Sequence, residues 1–141
     1  GAAAAAIAVA AAIPPTMAEA DTPEAAAAAE FAENKIKTYL TQHGAWFVKY
    51  WAGTKFTKEG IPDILACIHG EFYAIEVKAP NGKPTVIQLV TLRKIRQAGG
   101  WGILLYPNDY DGFINHIKTG DNNWYYENIK LQDTWFAKLM A

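Results

Sequence analysis

The sequence predicts a mixed α/β domain in which one mixed sheet is covered by helices on both faces. Short alternating or apolar runs, typical of strands, are interspersed with stretches in which apolar residues recur at helical spacing. Three strand-like runs follow one another before a helix intervenes, which favours an antiparallel meander. The fourth run follows that helix, so a right-handed crossover should place it parallel to the third strand. The predicted order is α-β-β-β-α-β-α.

The first half of the domain is predicted to hold one helix and three strands. Apolar spacing predicts the helix over residues 28–43, and a histidine–glycine pair supplies its C-terminal stop. Alternation among aromatic residues predicts the first strand over residues 45–51. The second and third strands are predicted over residues 62–68 and 72–78.

The second half is predicted to hold a crossover helix, a fourth strand and shorter helices. The crossover helix is predicted over residues 84–98, because Pro84 suits a first turn and a glycine pair ends the apolar stripe. An apolar run predicts a buried strand over residues 101–106. A short helix over residues 110–118 follows, and the aromatic tail is expected to end in another helix.

The chain divides into three parts by composition. Residues 1–29 are dominated by alanine, and we interpret them as a leader, tag or placeholder segment outside the fold. No basic residue precedes Lys35, so a signal peptide is not indicated, and the apolar run over residues 1–13 is too short to span a membrane. Residues 30–118 form the predicted domain, and residues 119–141 form an extension whose aromatic side chains could bury a dimer interface. Those side chains are Trp124, Tyr125, Tyr126, Trp135 and Phe136.

Cysteine content and charge limit the class of protein. A single cysteine excludes a disulfide framework and a Cys-rich zinc site, and it fits a cytoplasmic protein without a membrane partner. The net charge of −1 conceals an uneven distribution, since residues 33–107 hold ten Lys or Arg and five acids. A basic centre with an acidic periphery is compatible with phosphate binding.

A tight turn at His69-Gly70 is predicted to set the register of the second and third strands. Gly permits the positive φ that such a turn needs, and paired residues then have numbers that sum to 139. Asp63 therefore faces Glu76, with Cβ atoms roughly 4.5–5.5 Å apart. Period-two alternation puts Lys78 on the same side. The apolar residues along the hairpin indicate that both of its faces are covered.

Two carboxylates on a covered face repel each other and lose hydration. A cation between Asp63 and Glu76 would relieve both costs, and hard oxygen ligands in an incomplete shell suit Mg²⁺ or Mn²⁺. From the residues alone, the alternative is an ion-pair cluster of Asp63, Glu76 and Lys78 that carries no chemistry.

The spacing of these residues resembles a known nuclease motif. Pro62-Asp63 followed by Glu76-Val77-Lys78 looks like the PD-(D/E)xK motif. A wider ordered set over residues 30–106 resembles the virus-type replication-repair nuclease (VRR-NUC) family in its small, stand-alone, phage-like form. That set comprises Gly60-Ile61-Pro62-Asp63-Ile64, Gly70, Ile75-Glu76-Val77-Lys78, Gly82 and Gln88. The resemblance implies a restriction-endonuclease-like core and, for a phage-encoded protein, the host cell cytoplasm.

The resemblance also implies the role of each residue in the motif. Asp63 and Glu76 would be the main metal ligands, and the backbone carbonyl of Val77 would add a further ligand. Lys78 would orient or deprotonate the attacking water, or stabilise the charge that develops on the phosphate. The number of metal ions, one or two, is left open.

In the family that the sequence resembles, a glutamate on the first helix and a glutamine on the crossover helix complete the site. Glu33 and Glu30 both qualify, and Glu33 is preferred because residues 33–37 resemble the family's helix better. Glu33 would contact the metal directly or through a water molecule. Gln88 matches the glutamine that lies beside the lysine and the phosphate. The alternative is that Gln88 only caps its helix, in a capping box that begins at Thr85.

DNA contacts are predicted at the open end of this site. Lys55 and Lys58 lie in the loop before the second strand, and Lys83 lies in the turn after the third. Arg93 on the crossover helix would extend the same patch. All four are candidates for contacts with phosphate groups.

The resemblance implies a divalent-metal-dependent, structure-specific DNA endonuclease that acts on branched or junction DNA. We expect a homodimer that resolves Holliday junctions, because two symmetric cuts need two sites related by a twofold axis. One alternative is a flap or nicking nuclease with the same chemistry. Another is a catalytically silent DNA-binding module.

Overall fold

The computed structural model describes residues 22–50 and 58–141, and within them the predicted mixed α/β architecture is confirmed. The sheet has the strand order β1-β2-β3-β4, in which the first three strands are antiparallel and β4 runs parallel to β3. The strands are β1 (Trp46–Lys49), β2 (Ile64–Ile68), β3 (Glu71–Val77) and β4 (Trp101–Leu105). The helices are α1 (Pro23–Gln42), α2 (Val86–Gln97), α3 (Tyr110–Thr119) and α4 (Asn123–Met140), with a 3-10 turn at Pro107–Asp109.

Helix α1 begins five residues before its predicted start at residue 28, so that prediction is wrong at its N-terminal end. The hydroxyl of Thr22 accepts a hydrogen bond from the backbone N–H of Ala25 at 3.1 Å, and Pro23 occupies the first turn. Alanine has the highest helix propensity, so the segment interpreted as a leader up to residue 29 contributes its residues 23–29 to α1. Residues 1–21 lie outside the described residues.

Helices pack on both faces of the sheet and form two apolar clusters. On one face, α1 and α3 cover the central strands, with Ile36, Ile75 and Phe113 fully buried. On the other face, α2 and α4 cover β4. The backbone of α2 approaches β4 so closely that a Cβ added at Gly102 would lie 2.6 Å from the carbonyl oxygen of Leu92. The N-terminal turn of α2 lies next to the end of β3, where Gln88 contacts Glu76.

The aromatic extension packs mostly within the chain. In α4, Trp135 is fully buried and Tyr125 is buried, whereas Tyr126 is exposed. The side-chain amide of Asn128 bonds both the N–H and the carbonyl of Leu104, at 3.0 and 2.7 Å, so α4 also covers the outer edge of β4. The expectation that these aromatic side chains bury a dimer interface is therefore wrong for Trp135 and Tyr125, which are buried within the chain. Among the described residues, no helix is long and apolar enough to cross a membrane.

Candidate active site

The turn between β2 and β3 has the geometry that sets the predicted register. Both His69 and Gly70 have positive φ, 52° and 80°, as in a type I′ hairpin turn. Leu65 pairs with Ala74 and Ile64 pairs with Ile75, so paired numbers sum to 139 as predicted. The same register places Asp63, one residue before β2, opposite Glu76.

Asp63 is anchored at the end of the hairpin through its side chain and its backbone. Its Oδ2 accepts a hydrogen bond from the backbone N–H of Val77 at 2.8 Å, and its carbonyl accepts one from the N–H of Tyr50 at 2.8 Å. The carboxylate of Asp63 therefore accepts a backbone hydrogen bond from Val77 at the end of the β2–β3 pairing. This contact fixes the orientation of Asp63 and brings the peptide of Val77 next to it.

Glu76 is the most buried acid of the site, with only 4% of the residue exposed. Its Oε1 lies 3.4 Å from the Nζ of Lys78 and accepts a hydrogen bond from the Nε2 of Gln88 at 3.2 Å. Burial, and secondly the nearby carboxylate of Asp63, raise the pKa of Glu76 to about 7 against the opposing effect of Lys78. Two acids and one ammonium group therefore converge at one end of the hairpin.

Coverage of the hairpin is uneven, so the expectation that both faces are fully covered is wrong at the turn end. Phe72 and Cys67 are exposed there, whereas Ala74 and Glu76 are buried near the other end. Helix α2 packs mainly against β4 and the adjoining part of β3. The burial that raises the pKa of Glu76 is thus confined to the end that holds the site.

Glu33 reaches the same corner from the other face of the sheet. Its carboxylate forms an ion pair and hydrogen bond with Lys49, whose Nζ lies 3.7 Å from Oδ1 of Asp63. Glu30 is exposed on α1, so the structure favours Glu33 as the helix acid that contacts the site. Burial alone would lower the pKa of Lys49, but the hydrogen bond to Glu33 and the charges of Asp63, Glu33 and Glu76 raise it on balance.

Lys49 is a member of this corner that the sequence reasoning missed. It lies on the side of β1 that faces the core, since it pairs with the fully buried Ile64. A charged residue at a core-facing position of a strand was the available signal, because such a residue needs a partner. The partner could not be identified from the sequence because Glu33 is sixteen residues away along the chain.

Gln88 caps its helix, as one of the two alternatives predicts, and its side chain also contacts Glu76. Its Oε1 accepts from the N–H of Thr85 at 3.0 Å, and its own N–H donates to the Thr85 hydroxyl at 3.2 Å, which completes a capping box. The Nε2 of the same side chain donates to Glu76. The cap therefore holds the amide group in position against the buried carboxylate.

Replacing Thr85 and Gln88 separately should show whether Gln88 only caps its helix or also acts in cleavage. We expect Thr85→Ala to lower the free energy of unfolding by about 1 kcal/mol, as the loss of a helix cap usually does, and to leave cleavage within a few-fold of the original rate. We expect Gln88→Ala to lose similar stability and also to reduce cleavage by at least about tenfold, because Glu76 loses a donor. Urea unfolding and single-turnover cleavage would be measured for both variants. Equal rates for the two variants would assign Gln88 to capping alone.

Of the four basic residues predicted to contact DNA, two are exposed in segments that adjoin the site of Asp63 and Glu76. Lys58 and Lys83 are exposed in the segments next to β2 and β3. Arg93 instead lies 3.7 Å from Asp133 and stacks on Phe136 at 4.3 Å, so it is engaged with α4. Lys55 lies outside the described residues.

The donor set fits a small divalent cation held by two carboxylates. Within residues 22–50 and 58–141, no group of three or more His, Cys, Asp or Glu side chains is close enough together to hold a metal ion. Asp63 and Glu76 nevertheless offer adjacent oxygen donors, and the pKa of Glu76 is raised by burial and by the charge of Asp63, both of which disfavour its ionised form. A hard cation that prefers oxygen ligands would offset both effects.

The fold and the site together define the PD-(D/E)xK class of nucleases: a mixed sheet between helices, with Asp63, Glu76 and Lys78 at the end of the central hairpin. The family model described as archaeal Holliday junction resolvase (Hjc) matches residues 26–99, slightly more than half of the chain. The chain belongs to this family and is therefore a nuclease. The match does not show that the chain belongs to the VRR-NUC family. Comparisons with curated proteins and with solved structures found no match.

Proposed function

We propose that this protein is a divalent-metal-dependent endonuclease that resolves four-way DNA junctions as a homodimer. The observation that carries the proposal is the convergence of Asp63, Glu76 and Lys78 at one end of the β2–β3 hairpin in a chain of the Hjc family. A buried glutamate beside a second carboxylate, with its pKa raised to about 7, is typical of functional sites and favours this proposal over an ion-pair cluster without chemistry.

Asp63, Glu76 and the carbonyl of Val77 would hold Mg²⁺ or Mn²⁺. When bound there, the cation would polarise the scissile phosphate and lower the pKa of a water molecule. In the hydrolysis itself, a water oxygen forms a bond to phosphorus, the bond to the leaving oxygen breaks, and the leaving oxygen takes up a proton. Lys78 lies beside Glu76, where its ammonium group can orient the water or stabilise negative charge on the phosphate.

The backbone contact from Val77 and the amide of Gln88 support this chemistry by fixing the two acids. The N–H of Val77 holds one oxygen of Asp63, and Gln88 holds one oxygen of Glu76. Both contacts reduce the number of orientations that the carboxylates can adopt before substrate binds, which lowers the entropic cost of reaching the reactive geometry. Lys58 and Lys83 are our candidates for contacts with the DNA backbone.

The proposed dimer is supported by an exposed apolar strip on the sheet, more than by the aromatic tail. Trp46 and Phe72 expose 66% and 48% of their surface, and Val48 exposes 39%. The register aligns Trp46 with Cys67 and Cys67 with Phe72, so this strip lies on one face of the sheet. The strip is apolar and extends toward the end that holds Glu76, so two copies related by a twofold axis could cover it.

The ordered set of residues around Gly60 and Gly82 supports a finer proposal within the class. Gly60 and Gly82 lie outside the PD-(D/E)xK motif, and they belong to the wider set that resembles the small, stand-alone, phage-like VRR-NUC family. We propose that the chain combines this local pattern with the junction-resolving activity of its family.

A panel of DNA substrates would test the function. We expect cleavage of a four-way junction in Mg²⁺ or Mn²⁺, no cleavage in a chelator, and at least about tenfold slower cleavage of flap, nicked and linear duplexes. On a plasmid that extrudes a cruciform, a dimer should release linear DNA by paired incision, whereas a nicking enzyme should give open circles. Preferred cutting of flaps or nicks would support the alternative nuclease. Identical behaviour of the original protein and Lys78→Ala on every substrate, with DNA binding retained, would support the silent DNA-binding module.

A further inference from the structure

The ammonium group of Lys49 lies between two carboxylates of the site. It donates to Oε1 of Glu33 and lies 3.7 Å from Oδ1 of Asp63. The three side chains are partly buried, with exposed fractions of 20% for Lys49, 16% for Glu33 and 28% for Asp63. Two acids placed so close to one another in partial burial need a positive charge, and Lys49 supplies it.

Glu33 and Glu76 approach Asp63 from opposite faces of the sheet. Glu33 is carried by α1, on the face where Ile36 packs with Ile75. Glu76 follows Ile75 in β3 and contacts Gln88 of α2, on the other face. Because of this separation, the three acids do not form one metal-binding group in the described part of the chain. Asp63 is the acid that both sides share.

The charges at this corner favour one divalent cation. Three carboxylates face the ammonium groups of Lys49 and Lys78, which leaves one net negative charge when all are ionised. One divalent cation would change this to one positive charge, which suits a phosphate diester. A second divalent cation would add two more positive charges to groups that are already partly buried, where repulsion is weakly screened.

We propose that Lys49 occupies the position between Glu33 and Asp63 that a second metal ion would otherwise take, so that the chain binds a single divalent cation at Asp63 and Glu76. Glu33 is then a positioning residue that acts through Lys49 and Asp63, and it is not a metal ligand. The inference rests on the metal dependence of the proposed function, and it chooses between the one-ion and two-ion forms that the sequence leaves open.

Counting Mn²⁺ ions bound by the full chain tests this proposal. Titration calorimetry and the electron paramagnetic resonance signal of free Mn²⁺ would give the number of ions per chain. We expect one ion for the original protein and two for Lys49→Gln, because the freed carboxylates of Glu33 and Asp63 then offer a second set of oxygen ligands. The double variant Lys49→Gln/Glu33→Gln should return to one ion. Lys37→Gln removes the same charge from α1 outside the site and should bind one ion.

Two ions in the original protein, or one ion with unchanged affinity in a folded Lys49→Gln variant, would overturn the proposal and leave the nuclease function intact. No Mn²⁺ binding by the original protein would overturn both. If Lys49→Gln does not fold, Lys49→Arg and a Mn²⁺-soaked crystal of the original protein replace it. We expect one ion for the arginine variant and one anomalous peak, at Asp63 and Glu76. A second peak between Glu33 and Asp63 would contradict the inference.

Discussion

Replacing Asp63 by Asn, or Glu76 by Gln, is expected to reduce junction cleavage by at least about a hundredfold while the chain still folds and binds DNA. Each change keeps the shape of the side chain and removes the negative charge that would hold the cation. Loss of one such transition-state interaction typically costs two to three orders of magnitude in rate, on the order of 3–4 kcal/mol. Single-turnover cleavage in saturating Mg²⁺ would measure the effect, with circular dichroism and gel-shift binding as checks on folding and DNA affinity.

Asp111→Asn is the matched control for the change at Asp63, because it makes the same substitution at an exposed position on α3. Its cleavage rate should stay within about twofold of the original, as expected for a surface change remote from the site. Glu30→Gln and Glu33→Gln form a second pair on α1. The change at Glu33 should slow cleavage, since Lys49 and Asp63 lose their partner, and the change at Glu30 should not. Full activity of either variant would contradict the assignment of Asp63 and Glu76 as metal ligands.

The central hairpin could be predicted from the sequence because its register depends on local chemistry. The turn at His69-Gly70 needs positive φ at both positions, and once that turn is fixed, each pair of residues follows by counting. The juxtaposition of Asp63 and Glu76 therefore required no knowledge of the tertiary fold. The capping box at Thr85 and Gln88 could also be read from four consecutive residues.

The parts that could not be predicted depend on contacts between distant segments. Lys49 is bonded to Glu33 only because α1 packs across β1, and no local pattern in either segment specifies that pairing. The exposed strip formed by Trp46 and Phe72 likewise requires the alignment of three strands. In contrast, the early start of α1 depends on local chemistry, namely alanine propensity and the cap at Thr22, but the alanine-rich composition of residues 1–29 conceals that signal.

Glu76→Gln is expected to stabilise the metal-free protein at pH 8 by up to about 3 kcal/mol and at pH 5 by no more than about 1 kcal/mol. The pKa of Glu76 is about 7 in the folded chain against an ordinary value of 4.5, chiefly because of burial and secondarily because of the charge on Asp63. Each pKa unit corresponds to about 1.4 kcal/mol. Near pH 5 the folded chain keeps this proton and the unfolded chain has begun to lose it, so only the first part of the destabilisation is present. As pH rises toward 7, the unfolded chain has lost the proton while the folded chain retains it, so the free energy of unfolding falls until the folded group also ionises.

Urea unfolding in a chelator at pH 5, 6, 7 and 8 would measure this difference between the original protein and Glu76→Gln. The stability of the variant relative to the original should increase across the interval from pH 5 to 7 and then level off. Asp111→Asn should show no such trend, since its carboxylate is exposed. Addition of Mg²⁺ at pH 8 should stabilise the original protein and not the variant, because a cation that binds only the folded state shifts the equilibrium toward it. A stability difference that does not change with pH would mean that Glu76 is ionised from pH 5 to 8. The repulsion between Glu76 and Asp63 would then be too small to favour binding of the proposed cation.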